Sequence, residues 1–238
     1  MNIVKLTDLV SNGSKIRKTV DPKVVLQKGD YPEGTILDAN SIIALIQQYA
    51  GGSIGTVGSD NGHEYVDLGL PSGTLWATMN VGASSETDYG NYYQYGKGAA
   101  QYAAISGDSN YGGTEDPLDS SVDTASQVWG GSWHMPTRAQ MQELTANTTY
   151  QWVTNYKGSG INGGTFTATN GAVLFIPAAG RWSSGSQKNV GDSGYYWGSS
   201  PSGSNNAYYL YFDNGRKGVY DSYRRNGYSI RPVITLSQ

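Results

Sequence analysis

Two histidines, one helix-borne glutamate, two glycine patterns and one acidic loop are the places where this chain could do chemistry. His63 and His134 lie far apart and neither sits in a metal-ligand spacing, so a paired zinc site is not expected. Glu143 has no second carboxylate fixed near it by sequence and reads as a solvated helix-face charge rather than a general acid. "GSGING" at 158–163 matches a dinucleotide-binding glycine pattern in letters only, because it leads into the strand-like "GTFTAT" instead of opening a helix. "GGSIG" at 51–55 has nucleophile-elbow spacing around Ser53 but lies in a linker. The acidic loop at 108–123 could offer oxygens to calcium, yet Gly112 stands where the regular calcium loop needs an acid or amide.

What remains is a surface chemistry. The stretch "NNAYYLYFDNGRKGVYDSYRRNG", 205–227, crowds Tyr, Asn, Ser, Asp and Arg together, and a core cannot absorb so many hydroxyls and amides without hydrogen-bond partners. Tyrosine brings a large contact area with few rotors to freeze, and small polar residues adapt to a partner. In "AYYLYFD", strand alternation puts Tyr208, Leu210 and Phe212 on one face, expected in the core. It puts Tyr209, Tyr211 and Asp213 on the other face, expected on a binding surface.

The elements that must position these residues follow from composition. The 238 residues include 33 glycines and 19 tyrosines with only 15% charged residues, a turn-rich and β-leaning mixture. A net charge of -3 with no run of like charges argues against nucleic acid and an anionic membrane surface. Zero cysteines exclude disulfides, thiolate metal sites and cysteine nucleophiles. No transmembrane run is present, and the opening residues lack the apolar stretch of a secretory signal. Synthesis in the cytoplasm without a signal peptide is the expectation.

Residues 1–50 read as an arm for docking or oligomerisation. "LDANSIIALIQQYAGG" has an Asp38 N-cap, a Leu37–Ile42 staple and Gly51 to end the helix. Ile42, Leu45, Ile46 and Tyr49 share one face. That stripe packs either on "KVVLQ" at 23–27 or on symmetry mates, with a homotrimer expected. Residues 51–62 are a Gly/Ser linker, and 63–238 the ligand-binding domain. In the latter, "EYVDLGLPSGTLWATMNVG" predicts a hairpin. "PTRAQMQELT" predicts a helix with a Thr137–Gln140 capping box and Met141 and Leu144 inward. "TFTATNGAVLFIPAAG" predicts a second hairpin turning at Asn170-Gly171.

Six blocks in order, "HEYVDLGLPSGTLWATMNVGA", "YGNYYQYG", "WGGSWHMPTRAQMQELT", "LFIPAAGR", "GYYWGSS" and "RRNGYSIRPV", carry a resemblance over about residues 62–236. They resemble the major paralogous domain first described from Fibrobacter succinogenes, common in Bacteroidetes and their phages. The resemblance implies an α+β class, a C-type lectin-like (formylglycine-generating-enzyme-related) domain preceded by the small helical arm.

It also implies a relation to the variable proteins of diversity-generating retroelements. In those, a reverse transcriptase misreads template adenines and rewrites C-terminal codons, so Asn codons yield Asn, Tyr, Asp, Ser and Gly. The variable region would span about 180–228. Tyr196 and Trp197 match the family's fixed aromatic pair, and Arg224, Gly227, Ser229, Ile230, Arg231 and Val233 match its closing motif. Variable, ligand-contacting positions are then Trp182, Ser184, Ser186, Asp192, Ser193 and Tyr195 around the "GR" and "YW" anchors. Gly198, which replaces the usual serine, joins them, with Tyr209, Tyr211, Asp213, Arg216, Tyr220, Asp221, Ser222 and Tyr223.

The expected function is non-enzymatic binding of a bacterial surface protein or glycan by a phage tail receptor-binding protein, located at the virion tail tip beside other tail proteins. A non-diversified bacterial cell-surface adhesin or glycan-binding module is the alternative. Chemistry of the formylglycine-generating kind would need cysteine, and calcium-dependent sugar binding would need a carboxylate-amide-proline run, which the chain lacks. No cofactor is expected.

Overall fold

A computed structural model describes residues 58–97 and 113–235. The helical arm with Ile42, Leu45, Ile46 and Tyr49, the 51–55 elbow pattern and most of the linker lie outside the described residues, as do residues 108–112 of the acidic loop. The chain divides between Ile54 and Gly55, and all described residues belong to the second unit.

Strand dominates. Among the described residues there are twelve strands, two α-helices and one 3-10 turn. This corrects the α+β, C-type lectin-like class expected from the resemblance: the described chain is a β-rich fold, and its helices are short, of six and ten residues. The physical reason is compositional. Among the described residues only two segments combine an N-cap with helix formers, while the Tyr-, Thr- and Gly-rich remainder suits strands and turns.

The first sheet joins β1 (Gly58–Asp60), β2 (His63–Asp67), β3 (Thr74–Ala77) and β12 (Val233–Thr235) in that order, so the two ends of the domain close on each other. Helix α1 (Thr124–Trp129) starts at Asp123, whose carboxylate accepts from the Ser126 amide at 2.9 Å and the Met135 amide at 2.9 Å. Helix α2 (Arg138–Asn147) opens with the full Thr137–Gln140 capping box, and Met141 and Leu144 are buried. The second sheet is β4 (Thr148–Val153), β5 (Gly163–Ala168) and β6 (Val173–Pro177). Asn170 holds the β5–β6 turn by accepting from the Ala172 amide at 2.9 Å. A small hairpin, β7 (Arg181–Ser183) with β8 (Ser186–Lys188), precedes the third sheet.

That third sheet is β9 (Ser193–Ser202), β10 (Asn206–Asp213) and β11 (Lys217–Tyr223), antiparallel, with β10 central and β11 at the edge. Its register sorts the side chains. Tyr195, Trp197, Tyr209, Tyr211 and Tyr220 share one face; Tyr196, Leu210 and Phe212 share the other. The second face packs inward, where Phe212 meets Phe166 edge-on at 5.9 Å and Tyr196 at 5.9 Å. Over the first face runs the closing segment, residues 224–232. Tyr228 stacks on Trp197 at 4.2 Å, and Trp197 donates its amide to the Ser229 carbonyl. Arg231 is fully buried and donates to the Ala77 carbonyl at 3.1 Å. Burial lowers its guanidinium to about 10, opposed by Tyr196 and Glu86.

Candidate ligand-binding surface

The isolated candidates for chemistry are absorbed by structure. His63 stacks on Trp129 at 3.7 Å and burial lowers its pKa, so it favours the neutral ring. His134 sets Nδ1 2.9 Å from the Met135 carbonyl. Glu143 accepts from the amide and hydroxyl of Ser72 at 2.8 and 2.5 Å, tying α2 to the β2–β3 turn. Gly163 of "GSGING" begins β5. In the described part of the acidic loop, Asp119 accepts from the amide and hydroxyl of Ser121 at 2.9 and 2.6 Å. Among the described residues no three His, Asp or Glu gather closely enough to hold a metal, and no helix is long and apolar enough to cross a membrane. A cleft of about 450 Å³ beside Leu68, Pro71, Asn147, Thr148, Thr167 and Thr169 has no titratable side chain in its wall.

The tyrosine-bearing residues instead assemble into one surface around β10. By register, Ser193, Tyr195, Tyr209, Tyr211, Asp213, Tyr220 and Ser222 lie on the same face of the third sheet. They do not reach outward equally. Ser193, Tyr195 and Tyr211 keep only 6, 8 and 9% of their surface, because Tyr228 and the neighbouring rings cover them. Tyr209 is half-buried, stacked near Tyr195 at 5.8 Å and edge-on to Trp197 at 6.0 Å. Burial raises its phenol pKa strongly, so it stays a neutral donor. Tyr220 and Tyr223 stand out at 44 and 55% exposure.

Hydrogen bonds knit this face to the fold. Tyr211 donates to Asp213 at 2.6 Å, and Arg216 returns from the turn to the same carboxylate at 3.2 Å while lying 5.1 Å over the Tyr211 ring. Burial opposes ionisation of Asp213, but the Tyr211 hydroxyl, the Gly215 and Arg216 amides and the Arg216 guanidinium outweigh it, so its pKa is lowered. Ser222 accepts from Tyr228 at 2.9 Å and from Asn226 at 3.0 Å, which links the surface to the closing segment.

Three groups of expected residues stand apart from that face. Asp221 and Tyr223 project from the opposite side of β11, and both are exposed because β11 is an edge strand. Ser184 and Ser186 are exposed on the β7–β8 hairpin, whose half-buried Trp182 is bridged through its backbone to Gly227; Asp192 is exposed just before β9. Gly198 is a correction: it is buried, and a Cβ there would meet the Pro136 carbonyl at 2.7 Å and Met141 Cε at 2.3 Å. It belongs to the packing under α2, not to the surface. The alternation rule separated the faces but gave no sign that Tyr211 is covered, since Tyr195, Tyr220 and Arg216 reach it from the neighbouring strands and the turn.

One residue of this surface was not expected. Arg181, read as part of the "GR" anchor, holds its guanidinium 5.0 Å from the Tyr195 ring. No sequence signal distinguishes it from the other arginines.

The fold and this surface define a β-rich domain with an edge sheet faced by tyrosine, serine and arginine. Over residues 148–233, from β4 to the start of β12, the chain is similar to a family described as "Domain of unknown function (DUF8237)". The chain matches no curated protein and no solved structure.

Proposed function

We propose that this chain is a non-catalytic ligand-binding protein whose third sheet and β7–β8 hairpin present a partner-contacting surface. The observation that carries the reading is the placement of "KGVYDSY": all seven residues of β11 lie on an edge strand, none is buried, and Tyr220 and Tyr223 expose large rings. Surface rings of this kind supply contact area at low entropy cost. An edge strand can also change side chains on both faces without disturbing a core, which is what a diversified region requires. Ladder pairing of the exposed edge with other chains is discouraged by Lys217 and Asp221.

In this reading the chain is the variable protein of a diversity-generating retroelement, carried at a phage tail tip as an adhesin for a bacterial surface ligand. The resemblance of residues 62–236 supports it, and so does the adenine-reachable palette Tyr, Asp, Ser and Asn at exposed positions. The proposed arm stripe of Ile42, Leu45, Ile46 and Tyr49 would make the display trimeric. Replacing Tyr220 and Tyr223 together by alanine tests the surface. Adhesion to host-range bacterial cells is expected to fall at least tenfold with melting temperature unchanged. Undiminished adhesion refutes the reading. Sequencing the gene across a population is expected to find substitutions at Tyr220, Asp221 and Tyr223 and none at Tyr196, Trp197 or Gly198.

A further inference from the structure

The cations of the surface differ in how they are matched. Residues 180–228 carry six Lys and Arg against three Asp, a positive balance inside a chain of net charge -3. Arg216 is paired with Asp213. Arg224 is buried and donates to the carbonyls of Asn206, Gly203 and Gly113. Arg225 is exposed over the Tyr223 ring at 4.7 Å. Arg181 is half-buried, its Nε is shielded from solvent with no hydrogen-bond partner, and among the described residues no carboxylate forms an ion pair with it. A guanidinium held against a ring and lacking an anion is a fork without its counterpart.

The backbone holds that fork in place. Gly180 donates to the Ser193 carbonyl at 2.8 Å, and Trp182 exchanges two hydrogen bonds with Gly227 at 2.7 and 2.9 Å. Gly180 has φ +63°, and a Cβ there would strike the Lys188 carbonyl oxygen at 2.4 Å and the Val190 amide nitrogen at 2.6 Å. The residues on both sides of Arg181 are therefore fixed. Its charge reaches the neighbouring phenols: burial raises the pKa of Tyr195 and Tyr209, and Arg181 opposes the rise in each.

We propose that Arg181 reads a carboxylate on the ligand, and that the ligand is an acidic polysaccharide of the uronic-acid kind. The inference rests on the surface assigned above. The groups around the guanidinium favour a sugar over an acidic peptide. Ser183 and Ser186, paired on the hairpin that carries Arg181, supply hydroxyls, and Tyr195 and Tyr209 beside the guanidinium supply ring and phenol. The only exposed aliphatic side chain of appreciable size among the described residues of this region is Val190, at 38%, so hydroxyls, rings and cations make up its contact chemistry. A polyhydroxylated chain with one carboxylate per ring meets hydroxyls, rings and guanidinium together.

Titration calorimetry of the full chain with oligogalacturonate, its fully methyl-esterified form and poly-glutamate tests this. The free acid is expected to bind, more weakly as salt rises, and the ester at least tenfold more weakly. Arg181→Gln is expected to lose at least tenfold in affinity, and Arg181→Lys to fall between, because an ammonium keeps the charge but not the planar fork. Absence of binding by the free acid, equal binding of the ester, or full affinity of Arg181→Gln overturns the proposal. Poly-glutamate binding in place of oligogalacturonate overturns the sugar assignment. If Arg181→Gln melts early, the acid–ester comparison on the unaltered chain decides. Cell adhesion separates the two levels: loss on Tyr220→Ala/Tyr223→Ala but not on Arg181→Gln removes this subsite and leaves the surface, whereas no loss in either removes the surface.

Discussion

Single residues of β9 to β11 divide into those that can change and those that cannot, and the division is steric. At Gly198 the nearest obstacle is the flexible end of Met141, but the next is the Pro136 backbone oxygen at 2.7 Å, which cannot step aside cheaply. Gly198→Ser is expected to destabilise the fold by about 1–3 kcal/mol, the usual cost of overpacking. Tyr220→Ser, at an exposed position, is expected to stay within about 0.5 kcal/mol. Chemical denaturation of both variants checks the contrast, and a tolerated serine at 198 would refute the packing argument. Asp213 makes a second residue-scale prediction. Its folded pKa lies below the ordinary 3.8, so its contribution to stability is complete above about pH 3.8 and is lost as pH falls through the lower folded value. Comparing acid unfolding with Asp213→Asn isolates that part. The unaltered chain should lose more stability below pH 3.8 than the variant, since the amide has no carboxylate to protonate; parallel profiles would show the turn is indifferent to this charge.

Elements carry a different lesson, beginning with α2. It is only ten residues long and relies on its start: Thr137 accepts from the Gln140 amide at 3.2 Å while Gln140 accepts from the Thr137 amide at 2.9 Å. Thr137→Ala is expected to cost about 1 kcal/mol, read as a lower melting temperature; an unchanged melt would mean that packing of Met141 and Leu144 alone holds the helix. This helix was legible in the sequence because its capping box is local, and so were the β2–β3 and β5–β6 hairpins, whose turn residues announce them. Helix α1 was not read, since its six residues are too few for a periodic signal. The third sheet was legible in part. Alternation placed Tyr208, Leu210 and Phe212 inward, where Leu210 and Phe212 are buried and Tyr208 is half-buried, and grouped Tyr209 with Tyr211. What covers a face depends on residues brought from elsewhere: Arg138 sits over the Tyr208 ring at 4.2 Å, and Tyr228 over Tyr195 and Trp197. Those contacts have no local signature. Arg181 is the same case, a cation whose meaning comes only from the ring and the missing carboxylate around it.

At the scale of the whole molecule, the proposed function joins a surface of modest, adaptable contacts to a segment proposed to multiply it. A surface centred on hydroxyls, phenols and a few guanidinium groups binds weakly at any one site, because each contact exchanges hydrogen bonds with water for hydrogen bonds with ligand. Linked copies convert the second and third binding events into intramolecular ones, and avidity can then exceed single-site affinity by roughly 10²–10⁴. If residues 1–50 assemble three chains through Ile42, Leu45, Ile46 and Tyr49, replacing Ile42 and Ile46 by aspartate should yield a monomer by light scattering. Single-site affinity for a soluble monovalent ligand should be unchanged, since the surface of β9 to β11 keeps its residues. Retention on ligand-bearing cells should fall by at least a hundredfold. A variant that keeps the mass of the unaltered chain removes this stripe from the assembly. A monomer that adheres as well as the unaltered chain would mean that one copy of the surface is sufficient, and the affinity would then have to reside in the individual contacts of Arg181, Tyr209, Tyr220 and Tyr223.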